Sequence, residues 1–147
     1  MAVRKSVHQV IYSSAAVIEF SEKDLASLLL RARANNARLG VSGLLLHHEG
    51  SFLQVLEGDT KVLDSLFTTI SADKRHNRVV KLLDREADER HFAEWKMGFV
   101  AVAALSQALP GFSDFLRNRG EAGKAGDAAD RVLSAFRAGR FRSQIAE

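Results

Sequence analysis

The chain contains no cysteine, one proline, one tyrosine and one tryptophan among its 147 residues. Without thiols there is no disulfide, no thiolate nucleophile and no cysteine-ligated zinc or iron–sulfur centre. No apolar run approaches the ~20 residues that cross a bilayer. The N-terminal "MAVRKSVHQVIYSSAAVIEF" lacks the apolar core and small-residue cleavage pattern of a signal peptide. The expectation is a soluble cytoplasmic protein without a membrane. A dominant charge is lacking too: 21 basic against 18 acidic residues leave +3, too mild an imbalance to point to nucleic acid. Neither G-x-G-x-x-G nor a Walker sequence occurs. "LGVSG" sets Ser42 among glycines but does not match the G-x-S-x-G elbow, which also needs a strand-to-helix turn. His47 and His48 are adjacent, so on a strand they face opposite sides and cannot hold one metal together. Asp59 and Asp64 fit a helix cap and a solvent face. Neither a metal site nor a hydrolytic centre is expected.

What is present reads as one domain with a short appendage; 46% hydrophobic and 27% charged residues are ordinary for a globular protein. "SVHQVIYSS" alternates and is rich in β-branched residues, which predicts a strand over about 6–13. Ser21 and Asp24 form a capping pattern. Leu25, Leu28, Leu29 and Ala32 follow at helical spacing, which predicts a helix over 22–35 that ends near Asn35-Asn36 with Gly40 just beyond. "VSGLLLHH" and "SFLQVLE", joined through Glu49-Gly50, predict a hairpin. Asp59 or Thr60 can cap a second helix, in which Val62, Leu63, Leu66, Phe67 and Ile70 form an apolar stripe. "RVVKLLDREA" and "WKMGFVAV" predict a fourth and a fifth strand, the latter with Trp95, Met97 and Phe99 on one face. The order β-α-β-β-α-β-β predicts an α+β, ferredoxin-like sheet with two helices on one side. That unit spans 1–105, with Pro110 marking its end, and 106–147 is a helical extension too short for its own core. It is expected to pack on the sheet, on a second subunit or on a partner.

Three uncharged polar residues sit where apolar ones would be cheaper. Phe52, Gln54 and Leu56 share one face of a strand whose other face carries Leu53 and Val55, so an amide stands inside an apolar surface. A buried amide without partners costs about 1–3 kcal/mol. Tyr12 alternates with Val10 on the first strand, and Asn36 closes the first helix toward the strand ends. Each alone has an ordinary explanation: a helix cap for Asn36, a hydroxyl tied to backbone for Tyr12, an exposed strand edge for Gln54. If the first and third strands are neighbours, Tyr12 and Gln54 lie side by side beneath the helices. Converging amides in a cleft then suit a planar heteroaromatic ligand.

The stretches "VIYSS", "NNARLGVSGLLL", "SFLQVLEG", "DKRH" and "RHFAEWKMGF", in order from residue 7 to about 100, resemble the BLUF family of flavin-using blue-light sensors, in its short single-domain form. The resemblance implies a photoreceptor with no enzymatic turnover, and FAD as cofactor with FMN or riboflavin as alternatives. It places Gln54 in hydrogen bonds to both Tyr12 and the N5/C4=O edge of the flavin. Asn36 would hold the C2=O/N3 region, with Asn35 nearby, and the ring would lie against Leu28 and Ile70. Asp73, Arg75 and His76 would meet the far side of the ring or the ribityl chain, while Trp95 and Met97 would respond to the state of the chromophore. Two positions depart from the family pattern: Ala32 replaces a serine near the flavin, and Thr69 replaces an arginine that some short members carry. The latter bears on the choice among flavins.

The implied mechanism is electron donation from Tyr12, a proton moved through Gln54, and a glutamine left rotated or tautomerised, with the signal passing through the fifth strand to the tail. Two rivals stand beside it. A flavin-dependent redox enzyme would need a substrate opening and a nicotinamide motif, and no such motif occurs. A ligand-free interaction module would act through Arg131, Arg137, Arg140 and Arg142, but arginines near a helix end fit a solvated face, so nucleic acid is not an expected partner. With no effector domain evident in the sequence, output is expected through a downstream effector protein or through homo-oligomerisation. The stripe Val132, Leu133 and Phe136 is the candidate surface, unless it packs back on the sheet.

Overall fold

The computed structural model describes residues 7–48, 51–90, 92–93 and 96–101. Seven elements follow in the expected order: β1 (Val7–Ala16), α1 (Glu22–Leu39), β2 (Ser42–His48), β3 (Ser51–Gly58), α2 (Thr60–Ser71), β4 (His76–Ala87) and β5 (Gly98–Ala101). They build a five-stranded sheet in the order β4-β1-β3-β2-β5. β1 pairs antiparallel with β3 and β4, and β2 pairs antiparallel with β3. β5 adds to the edge of β2 in parallel. The βαββαβ part is the ferredoxin-like α+β arrangement that the sequence predicts.

Local chemistry sets the ends of the elements. Ser21 accepts a hydrogen bond from the Asp24 backbone N–H, and Asp24 accepts one from the Ser21 backbone N–H, which closes a capping box at the start of α1. Asp59 accepts from the N–H groups of Lys61 and Val62 and so caps α2. The first helix corrects the sequence reading, because it continues a full turn past Asn36. Its terminator is Gly40, at φ 69°, whose N–H returns to the Asn36 carbonyl, as does that of Val41 at 2.9 Å. Left-handed backbone suits glycine and ends helices far more firmly than an asparagine pair does. β1 reaches Ala16, β4 begins two residues early at His76, and Met97 precedes β5 instead of lying within it. The Glu49-Gly50 turn, Trp95 and the whole extension, with its arginines and apolar stripe, lie outside the described residues.

The alternation along the strands divides the core. Val10, Tyr12, Leu45, Phe52 and Leu56 face one side, where Leu28 and Leu29 of α1 and Leu63, Leu66, Phe67 and Ile70 of α2 cover them. Each such aliphatic or aromatic side chain, fully buried, contributes about 1.5–3 kcal/mol. Ile11, Leu44, Leu46, Leu53 and Val55 point to the opposite side, and each is 1% exposed or less. β3 lies between β1 and β2, so Gln54 faces no open strand edge. At Gly43 the sheet comes unusually close: a Cβ there would stand 2.0 Å from the Val55 carbonyl oxygen and 3.3 Å from Met97 Cε. Among the described residues, no helix is long and apolar enough to cross a membrane.

Candidate functional site

The antiparallel register sets Tyr12 directly opposite Gln54, and Gln54 directly opposite Leu45. The Tyr12 hydroxyl donates to Gln54 Oε1. The Gln54 amide donates in turn from Nε2 to the sulfur of Met97 at 3.5 Å. Thioether sulfur is a weak acceptor, and Nε2 carries a second proton. The expected neighbour relation of Tyr12 and Gln54 is therefore present, with Met97 as a third member.

Burial shapes the chemistry of Tyr12. It is 3% exposed, and its ring meets Phe67 edge-on at 5.5 Å between centroids. Desolvation pushes its hydroxyl well above the ordinary tyrosine range, and the nearby negative charge of Asp73 adds to the effect. The phenol is held neutral, as a donor.

Asn36 lies on the buried face of α1 and donates from Nδ2 to the Lys96 carbonyl at 2.5 Å. Arg33, one turn earlier, donates from Nε to the Met97 carbonyl at 2.9 Å. Asn36 thus helps fix the stretch before β5, and it is no helix terminator. At the other end of the site Arg75 grips Asp73 with two parallel bonds, Nε to Oδ1 at 3.0 Å and Nη2 to Oδ2 at 2.6 Å. These bonds hold the Asp73 carboxyl down to about 2. His76 bridges two elements: Nε2 lies 2.6 Å from the Ile70 carbonyl and Nδ1 lies 2.8 Å from Ser14 Oγ. A carbonyl only accepts, so Nε2 carries the proton, and a neutral ring accepts from Ser14 at Nδ1.

These residues converge on one cleft of about 230 Å³ between the two helices and the sheet. Tyr12, Leu28, Ala32, Asn35, Asn36, Gln54, Ile70, Asp73, Arg75 and His76 all line it. Leu28, Ala32, Asn35 and Asn36 recur at helical spacing on α1, which is why one face of that helix forms a wall. Met97 reaches the cleft only through Gln54. The sequence reading overlooked Arg31, which shares the same helical face and stands exposed at the rim, and also Phe20, Phe52 and Leu66. The i, i+3 relation of Leu28 and Arg31 was the signal that could have found the arginine.

A planar ring with a polar edge fits this donor set. Apolar side chains line the walls, an amide stands at the sheet, a second amide comes from α1, and an arginine–carboxylate pair closes one end. Apolar walls with a few placed polar groups are the usual composition of a small-molecule site.

Comparison with known proteins agrees with the geometry. Residues 7–98 match the family model described as BLUF, sensors of blue-light using FAD. Photoactivated adenylate cyclase subunit alpha of Euglena gracilis is 42% identical over 73 residues, half of this chain. That match covers only 7% of the cyclase subunit, so the chain spans a small part of the curated relatives it resembles. Among solved structures, the dark state of the BLUF protein BlrB superposes with a TM-score of 0.78 at 26% identity, covering 93% of this chain and 99% of that one. Klebsiella pneumoniae BlrP1, in its manganese/cyclic-diGMP complex, gives a TM-score of 0.66 at 33% identity and covers 92% of this chain and 34% of its own. With the tyrosine–glutamine pair seated in the cleft and the family model running from the start of β1 to the start of β5, the chain belongs to the BLUF family of flavin-binding blue-light sensors.

Proposed function

We propose that this protein is a light sensor that binds FAD without a covalent bond, performs no catalysis itself, and signals by rearranging the hydrogen bonds of Tyr12 and Gln54. The observation that carries this is the chain Tyr12–Gln54–Met97, which links the cleft to the stretch before β5. Asn36, Asn35 and Gln54 hold the polar edge of the ring, Leu28 and Ile70 its faces, and Asp73, Arg75 and His76 the far end. Arg31 takes a phosphate at the rim, where Thr69 across from it offers no charge. A single cationic contact of this kind favours FAD or FMN over riboflavin.

A bound flavin supplies absorption of blue light and a strong excited-state oxidant. The rest is done by side chains. Tyr12, in the cleft wall, would be the electron donor, and its proton would pass along the existing bond to Gln54 Oε1. Gln54 exchanges its weak bond to sulfur for a new arrangement, and Met97 loses its partner. Tyr12 then regains its electron and proton, so nothing is consumed. The signal leaves through Lys96, Met97 and β5 to an effector protein or to a second copy of the chain.

The deciding experiment is an absorption spectrum of the purified protein before and after a blue pulse, followed in darkness. A flavin spectrum that shifts to the red and returns supports the reading. A colourless protein, or a flavin that only bleaches, overturns it. The flavin released on denaturation, identified by mass, tests the preference for a phosphorylated form.

A further inference from the structure

The far face of the sheet carries a row of polar residues with no place in the light-sensing chemistry above. Ser42, Glu57, Gln9 and Arg85 are direct cross-strand partners on β2, β3, β1 and β4. Glu57 and Gln9 are 0% exposed and Ser42 is 4% exposed, among Ile11, Leu44 and Val55. A buried carboxylate is costly, and a well-packed apolar residue in its place is often neutral or stabilising. Its hydrogen bonds show what it holds. Glu57 Oε1 accepts from the Phe92 backbone N–H at 2.8 Å and from Ser42 Oγ at 3.4 Å, and Oε2 accepts from Gln9 Nε2 at 3.0 Å. Arg90 reinforces the same corner, with bonds to Ser42 Oγ at 3.0 Å, the Glu57 carbonyl at 3.2 Å and the Gly40 carbonyl at 2.7 Å.

The stretch between β4 and β5 is therefore fastened at two points on opposite faces. Arg90 and Phe92 are tied to Glu57 behind the sheet, and Lys96 and Met97 are tied to Asn36, Arg33 and Gln54 in front. Only the front fastening includes a group that the photochemistry moves. We propose that Glu57 is a positioning residue, the fixed hold on residue 92 that returns Met97 to Gln54 in darkness. This inference rests on the light-sensing function and extends it to a residue outside the cleft.

The orientation of Gln9 makes a sharp test possible. Its Oε1 accepts from Arg85 Nε at 3.0 Å, so its amide nitrogen must face Glu57. Glu57→Gln leaves one acceptor oxygen for two donors: its amide nitrogen meets either Gln9 Nε2 or the Phe92 N–H, and flipping Gln9 only moves the conflict to Arg85. The exchange variant Gln9→Glu/Glu57→Gln restores each of these donor–acceptor pairs with the charge moved one strand over. Both variants leave the cleft untouched, so both keep the wild-type red shift. Glu57→Gln is expected to slow dark recovery by roughly fivefold or more, the scale of coupling inside one hydrogen-bond network, and the exchange variant is expected to recover most of the wild-type rate. Leu53→Ala, a far-face core lesion four residues along β3 from Glu57, lowers the melting temperature without slowing recovery. Wild-type recovery in Glu57→Gln, or no rescue by the exchange, overturns the proposal. If Glu57→Gln does not fold, Ser42→Ala is read in its place, with the same slowing expected and a wild-type rate again overturning it. A wild-type protein without any red shift is a different failure, that of the light-sensing function itself.

Discussion

Raising the pH through the tyrosine range probes the centre of the site with a single chromophore, because Tyr12 is the only tyrosine in the chain. In the unfolded chain it ionises near its ordinary value of 10.0, while burial and Asp73 hold it protonated in the fold well above that. The folded state keeps a proton that the unfolded state has released, so stability is fully present below pH 10 and falls as the pH rises toward the folded-state value. The loss is about 1.4 kcal/mol per pH unit above 10, or about 1.4 kcal/mol between pH ~9 and pH ~11. Urea unfolding of the wild type and of Tyr12→Phe at both pH values isolates this amount. The variant keeps the ring against Phe67, and it shares every other group that titrates in this range. The wild type should lose about 1.4 kcal/mol more than the variant, and the near-ultraviolet tyrosinate band should appear only with unfolding. A tyrosinate band near pH 10 in the intact fold, or equal losses in both proteins, would refute the argument that burial governs this phenol.

Gln54→Leu removes the hydrogen-bond partner that the Tyr12 hydroxyl and Met97 Sδ share among the described residues; the protein should keep its flavin and lose the reversible red shift, and a persisting shift would sink the role given to the glutamine. Arg75 holds the Asp73 carboxyl at about 2, against an ordinary 3.8. Its contribution is present above about pH 4 and lost as the pH falls toward 2, so flavin fluorescence should rise on acidification through that window. Asp73→Asn should flatten this profile, and an unchanged profile would count against the pair. Arg31→Ala should weaken FAD more than riboflavin, as read by titration of the apoprotein, and equal weakening would remove the phosphate contact. Leu63→Ala, at 0% exposure in the shared core, should cost about 2–5 kcal/mol in a denaturation curve.

Much of this architecture was legible because alternation and helical spacing are local properties. The capping box at Ser21 and the cap at Asp59 follow from chemistry within three residues, and both appear as read. The pairing of Tyr12 with Gln54 was conditional on a strand order, which the sequence could propose but not measure. The end of α1 was misplaced because asparagine is a poor helix former yet a tolerable one when its side chain finds a buried acceptor, here the Lys96 carbonyl. That acceptor lies 60 residues away, beyond any local signal. Met97 was placed on the fifth strand, whereas its role depends on two bonds from α1 and one from Gln54 on β3 that hold it and Lys96. Arg33 and Arg31 went unremarked for a related reason: on an amphipathic helix an arginine reads as solvent-facing until something across from it is known.

Gly43 contributes an absence. The space where its side chain would stand is bounded by the Val55 carbonyl on one side and the Met97 methyl on the other. One missing carbon therefore serves two purposes: it lets the hairpin close, and it lets a methionine side chain sit beside a light-responsive amide. Variation at this position cannot retune the photochemistry without first breaking the hairpin. Adjustment of colour or of recovery time is left to positions with slack, such as Ala32 on the opposite wall of the cleft, where adding an atom disturbs no strand.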